Sequence, residues 1–222
     1  MNLSEQTVSI LKNFSAINQN LLVKQGKVLN TMSAMKNIVA KAEVEEEFPV
    51  EFAIYDLNEF LSAMSLFEKA NLDFDDNFVV MSETGKKGKK LKYWFSDPSV
   101  VTSPSKELEM PSVEVEFPMD SSILSEVQKA AAVIGAPDMA LENGALRVTD
   151  KKNDTANSYS TEVIQKGSEA IDYKFWFKVE NLKLLPGSYD VRVSSKRISH
   201  FQNQKLPVGY FIALEPESSY GN

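Results

Sequence analysis

Apolar positions recur at helical spacing near the start of the chain and again just past its middle. Leu3, Thr7, Ile10, Leu11, Phe14 and Ile17 fall on one face of a helix, with Ser4 placed to cap it. Ile123, Leu124, Val127, Ala131 and Ile134 repeat that pattern, with Asp120 or Ser121 at the cap and Gly135 as the stop. Each helix runs into an apolar stretch split by a glycine turn. In the first it is Leu21-Leu22-Val23-Lys24-Gln25-Gly26-Lys27-Val28-Leu29. In the second it is Met139-Ala140-Leu141-Glu142-Asn143-Gly144-Ala145-Leu146-Arg147-Val148. Asn143-Gly144 is a strong hairpin signal, because both residues tolerate positive φ.

A strand leading into a second helix follows each time. Val50, Phe52 and Ile54 alternate; Asp56 and Glu59 then have capping-box spacing, with Tyr55 and Phe60 at the staple positions. Leu57, Phe60, Leu61 and Met64 form the buried stripe. In the later copy Phe175, Phe177 and Val179 alternate, Leu182, Leu184 and Leu185 supply about one helical turn, and Pro186-Gly187 ends it. Closing strands come last: Leu72 and Phe74, then residues 90–95, in the first copy. In the second they are Tyr189, Val191 and Val193, then Leu206, Val208, Tyr210, Ile212 and Leu214.

The same order of elements therefore occurs twice, at an offset of about 120 residues. The expected fold class is α+β: two tandem similar domains, each with two helices packed on antiparallel sheet. The expected boundaries are 1–97 for the N-terminal domain, 98–111 for an extended Pro- and Ser-rich connector, and 112–222 for the C-terminal domain. A chain of 222 residues is long enough for two such cores.

The formal charge of −7 argues against nucleic acid only if it is evenly spread. Five lysines, Lys86, Lys87, Lys89, Lys90 and Lys92, fall close together around two glycines. That run lies between strands and opens no helix, so it is no phosphate-binding loop. Two readings stay open for it: a solvated hairpin tip, or a basic loop touching DNA backbone. Absent cysteines exclude disulfides, thiolate metal sites and cysteine nucleophiles. His200 is the single histidine and is expected at the surface, without a partner ring for a metal site. Glu45-Glu46-Glu47 is expected to be a solvated run. No nucleotide-binding or nucleophile-elbow motif occurs, so no catalytic residue and no cofactor is assigned. No apolar run is long enough to span a bilayer, and the start lacks a signal-peptide pattern.

Several stretches resemble the sliding clamps of T-even-type bacteriophages, the processivity factors of DNA polymerases. They are Leu3, Ser4, Thr7, Leu11, Lys12, Asn13, Phe14, Ile17 and Asn18 of the opening helix, and Ala53-Ile54-Tyr55-Asp56-Leu57-Asn58 with Phe60-Leu61. Pro186-Gly187 with Tyr189, and Ala213-Leu214-Glu215 in the last strand, extend the similarity. The lysine run departs from the family pattern. The resemblance implies a head-to-tail homotrimer that closes into a ring around duplex DNA without reading its sequence. It also implies a DNA polymerase, a clamp loader ATPase and transcription factors of the phage late programme as partners, in the cytoplasm of the infected host. The polar helix faces would then meet DNA through Lys12, Asn13, Gln128, Lys129 and Lys183. A pocket for partner peptide tails is expected at Val100, Val101, Leu185, Tyr210, Leu214 and Pro216, although for Tyr210 a plain core role is the stronger expectation. Two rivals remain at this point: a non-catalytic phage structural protein of duplicated β-rich domains, and a hydrolase with dispersed carboxylates.

Overall fold

A computed structural model describes residues 1–85, 88–163, 166–167 and 171–221. The chain divides into two compact units, Met1–Lys106 and Glu107–Asn222.

The first unit begins with α1 (Glu5–Ile17), whose N-cap Ser4 accepts the Thr7 N–H. Thr7, Ile10, Leu11, Phe14 and Ile17 are its buried face, as the spacing requires. Within this unit antiparallel strands follow in the order β3-β2-β1-β4, from β1 (Leu21–Val23), β2 (Gly26–Met32), β3 (Ile38–Phe48) and β4 (Phe52–Ile54). After α2 (Leu57–Met64) come β5 (Ala70–Phe74), β6 (Phe78–Glu83) and β7 (Lys90–Trp94), paired in that order as a second sheet. Helix α1 packs on α2 and on β3. Phe48, Phe52, Phe74 and Phe95 join the two sheets, with ring centroids 4.8–6.4 Å apart along the cluster.

The second unit repeats the plan. β8 (Val115–Met119) precedes α3 (Ser121–Ile134), which ends on Gly135 at φ 65°. β9 (Asp138–Glu142), β10 (Ala145–Thr149), β11 (Tyr159–Glu162) and β12 (Lys166–Gly167) come next. They are followed by β13 (Tyr173–Lys178), β14 (Tyr189–Ser194), β15 (Ile198–Asn203), β16 (Val208–Ala213) and β17 (Ser219–Tyr220). Within this unit the strands run β12-β8-β14-β15-β16 and β11-β10-β9-β13-β17, all antiparallel. Asn143 and Gly144, at φ 46° and 86°, make the two-residue turn between β9 and β10 that the sequence demands. Helix α3 packs on β10 and β11. β8 has a vestigial counterpart in the first unit, where Met1 and Leu72 exchange backbone hydrogen bonds at 2.7 Å beside β5.

Three expectations are corrected. Among the described residues the second copy has no second α-helix: only a 3-10 turn, Val179–Asn181, stands where α2 would be. The reason is local. Gln128 Nε2 donates to Leu182 O, Tyr189 Oη donates to Leu185 O, and Leu185 N–H donates to Tyr210 Oη. Side chains have taken backbone groups that a helix would need, and Pro186 supplies no donor to continue one. The staple at α2 also fails, since Tyr55 is exposed while Phe60 meets Tyr93 edge-on at 5.3 Å. Nor does the segment around β4 alternate, for Phe52, Ala53 and Ile54 are all buried.

Strand β3 was not foreseen, and it revises the reading of the Glu45–Glu47 run. Ile38, Ala40, Ala42 and Val44 point inward while Lys41, Glu43 and Glu45 point to solvent. Glu46 turns back to the start of α1, where its carboxylate accepts the Thr7 hydroxyl at 2.5 Å and the Ser4 N–H. One carboxylate thus satisfies an orphan helix-terminal donor and the fully buried Thr7 hydroxyl together.

Candidate DNA-facing and partner-binding surfaces

Capping and burial of α1 fix which side remains outside: Glu5, Ser9, Lys12 and Ala16 form its exposed stripe, with Asn13 half-buried beside it. On α3 the outward residues include Ser122, Ser125, Glu126 and Lys129. Both stripes are nearly neutral, each balancing one lysine against one glutamate, and the α3 stripe runs on to the exposed Ala132 and Val133. Such faces attract phosphates weakly and read no bases. A groove of about 620 Å³ lies between α1 and α2, bordered by Val8, Lys12, Leu61, Met64 and Lys69.

The other residues expected at DNA divide. Gln128 is half-buried and spends its amide on Leu182 O at 3.0 Å, which makes it a structural tie within the second unit. Lys183 is exposed, but on the loop after the 3-10 turn rather than on a helix. Lys89 and Lys90 are exposed at the start of β7; Lys86 and Lys87 lie outside the described residues.

The expected partner pocket also divides. Asp97 caps a short 3-10 turn, Pro98–Val100, through the Ser99 N–H. Its last residue, Val100, is 54% exposed. Val101 is half-buried, and Thr102 is gripped from both sides: its N–H donates to Asn20 Oδ1 at 2.8 Å, and its carbonyl accepts from Asn18 Nδ2 at 3.4 Å. Leu185, Tyr210 and Leu214 are core residues of the second unit, while Pro216 is exposed. The two asparagines that hold the connector were missed by sequence reasoning. Their position directly after α1 was the only available signal.

His200 is only partly exposed at the surface. It sits half-buried on β15, its ring centroid 4.4 Å from that of Phe211 with the planes tilted by 32°, and directly opposite Arg192 on β14. Burial and the neighbouring guanidinium push its pKa down to about 4. A Cβ on Gly209 would come within 2.8 Å of its Nε2, so a residue without a side chain makes room for the ring. No group of acidic and histidine side chains suited to a metal occurs among the described residues. One charged cluster is internally paired: Asp138, 1% exposed, holds Lys178 at 2.6 Å, and Lys151 holds Glu215 and Glu217 at 3.2 and 2.9 Å.

These groups define a pH dependence in two windows. His200 is kept neutral in the fold, so its contribution to stability is full above about pH 6.5 and is lost as pH falls toward 4. Burial would raise the Glu46 pKa, but the Thr7 and Ser4 hydrogen bonds outweigh it and hold the carboxyl below its usual 4.5. Its contribution is complete above 4.5 and disappears as pH falls through the lowered value. Melting temperatures measured from about pH 7 to about pH 3 should therefore drop in two stages. His200→Gln should remove the upper stage, and Glu46→Gln should shrink the lower one, to which Asp56, Asp97, Glu114 and Glu217, also held below their usual values by hydrogen bonds, contribute. An unchanged pH profile in either variant would refute that assignment.

The paired units of sheet-backed helices match a known architecture. The proliferating cellular nuclear antigen of Entamoeba histolytica superposes with a TM-score of 0.70 at 13% identity, over 96% of this chain and 97% of that one. The corresponding protein of Thermococcus kodakaraensis gives 0.71 at 14% identity, over 97% and 99%. The fold is thus that of DNA clamps. Residues 4–94 match the DNA polymerase processivity factor family. The sliding clamp of Vibrio phage KVP40 is 35% identical over 97% of this chain and 99% of its own length. Those of Escherichia phage RB69 and Enterobacteria phage T4 are 28% and 26% identical, each comparison covering 99% of both chains. The chain belongs to the family of phage sliding clamps.

Proposed function

We propose that the protein is a sliding clamp that encircles duplex DNA as a head-to-tail homotrimer and tethers a replicative DNA polymerase during phage replication. The observation that carries the reading is duplication with open edges. Among the described residues β7 in the first unit pairs along its length only with β6, and β11 in the second pairs only with β10. An edge strand left unpaired is a template for another chain. Two different edges on one chain make a heterologous contact, which closes into a ring when the rotation allows. Lys12, Lys129 and Lys183 are the DNA-facing cations of this reading, with Asn13 beside Lys12. Gln128 serves the fold instead. Val100 is the exposed anchor for a polymerase tail.

A clamp loader ATPase, factors of late transcription and the host cytoplasm complete the setting by family analogy. No helix of the described residues is long and apolar enough to cross a membrane. The rival reading, a structural protein of duplicated β-rich domains, gains no support from relatives named as sliding clamps.

Native mass spectrometry should give three times the 24.8 kDa chain. Loaded onto nicked circular duplex by a clamp loader, the ring should stay through gel filtration and leave once the circle is cut. A persistent monomer, or retention unaffected by linearisation, would refute the reading.

A further inference from the structure

The lysine run is the one sequence feature that the clamp reading leaves unused, and the structure shows where its base is anchored. Strand β6 leaves the sheet at Thr84, whose N–H donates to Lys69 O at 2.9 Å. Asn2, just ahead of α1, donates from Nδ2 to Thr84 Oγ1 at 2.8 Å and to Ala70 O at 2.9 Å. Asn2, Lys69 and Ala70 also border the groove that contains Lys12. The β6–β7 hairpin therefore springs from the N-terminal end of α1, on the rim of the groove between the two helices.

The charge of this rim is one-sided. No carboxylate occurs from Thr84 through Ser96, in a chain that carries 31 acidic residues against 24 basic ones. The nearest, Glu83, is engaged at the hairpin base, where it accepts the Glu68 and Lys69 N–H groups at 2.9 and 3.0 Å. Lys89 and Lys90 are exposed and form no ion pair among the described residues. Lys92 is a different case. Its ammonium lies 3.6 Å over the Phe78 ring and 4.7 Å over Trp94, on the sheet face opposite the one where Tyr93 meets Phe60 of α2. It is parked on aromatic surface and takes no part.

We propose that Lys89 and Lys90 form a phosphate-contacting finger that adds a salt-dependent drag between the ring and the backbone of the duplex it encircles. The inference rests on the clamp reading and goes beyond its helix contacts. The nearly neutral helix stripes give little electrostatic hold, and in their groove Glu5 and Glu68 offset Lys12 and Lys69. Uncompensated lysines on the rim release counterions when they approach phosphates, whatever the base sequence. Duplex DNA fits this chemistry better than an acidic protein surface, because the hairpin base and the DNA-facing helix share one rim.

The test compares wild type with Lys89→Ala/Lys90→Ala after loading on nicked circular duplex, following run-off once the circle is cut. Melting temperature should be unchanged, since both side chains are exposed. Because Lys90 opens β7, the edge assigned to the subunit contact, trimer mass is measured for each variant. If the double variant loses the trimer, Lys89→Ala alone, which lies ahead of that strand, carries the test with about half the salt slope. Two lysine–phosphate contacts correspond to a salt slope of about 1.8, or on the order of tenfold between about 50 and about 200 mM salt. The variant should run off roughly tenfold faster at the lower salt and converge with wild type at the higher. Lys89→Arg/Lys90→Arg should behave as wild type. Equal run-off at both salts would overturn the proposal. So would a variant that slides normally but loads poorly, which would assign the finger to an acidic surface of the loader. Failure of the wild-type ring to remain on the uncut circle would sink the clamp reading, and this inference with it.

Discussion

Replacing both Tyr189 and Tyr210 by Phe should destabilise the second unit by about 3 kcal/mol, roughly a hundredfold in its folding equilibrium. Both rings are fully buried, with centroids 6.2 Å apart. Tyr189 Oη donates to Leu185 O at 2.5 Å, and Tyr210 Oη accepts Leu185 N–H at 3.3 Å. Removing both oxygens leaves one buried carbonyl and one buried N–H without partners, each costing about 1–3 kcal/mol. The rings themselves stay, so no cavity of consequence opens. Because the two hydroxyls also bond each other, the single substitutions should not add to the double one. Urea unfolding of the two singles and the double measures this. Losses below about 0.5 kcal/mol in all three would mean that the phenols do not hold the segment.

The same two tyrosines explain where the fold was legible in the sequence and where it was not. Patterns set by local periodicity were readable: the stripe of α1, the stop of α3 at Gly135, and the Asn143-Gly144 turn all stand as the residue types require. The stretch Leu182, Leu184, Leu185 has apolar spacing that fits a helical turn equally well. Its actual conformation is decided by Gln128, Tyr189 and Tyr210, which reach it from other elements. Propensity yields to tertiary hydrogen bonding there. Strand β3 was hidden for the opposite reason. Its outward face is so rich in lysine and glutamate that the alternation of Ile38, Ala40, Ala42 and Val44 is masked by a charge run.

The candidate site was legible as composition and not as geometry. Lys12 and Lys129 sit opposite the apolar stripes, so helical periodicity alone places them outward. Gln128 adjoins Lys129 in sequence, yet it faces Leu182, which only the long-range fold reveals. The expected partner pocket mixes two kinds of residue. Tyr210 and Leu214 lie on a strand whose alternation marks them as core, whereas Val100 lies in a connector too polar to form a core of its own. Apolar character identified both sets. Burial separates them, and the difference decides which substitution can test the pocket.

Val100→Asp should reduce processive primer extension by an order of magnitude or more while the trimer, its loading and its melting temperature stay as in wild type. A polymerase tail that binds through a few buried apolar anchors loses most of its affinity when a charge meets one of them. Val100 can serve as such an anchor because its backbone is fixed and its side chain is not used by the fold. Asp97 caps the turn, Asn18 and Asn20 hold Thr102 two residues later, and the valine itself is 54% exposed. Leu214→Asp would be uninformative: Leu214 is 6% exposed and its N–H bonds to Arg197 O at 3.0 Å, so a buried carboxylate there would unfold the unit first. Met35→Asp is the matching control, since Met35 is an exposed apolar residue of the first unit at 83%. Loss of extension at Val100 but not at Met35 would identify the connector turn as the polymerase contact. Equal extension by the Val100 variant and wild type would place that contact elsewhere on the ring.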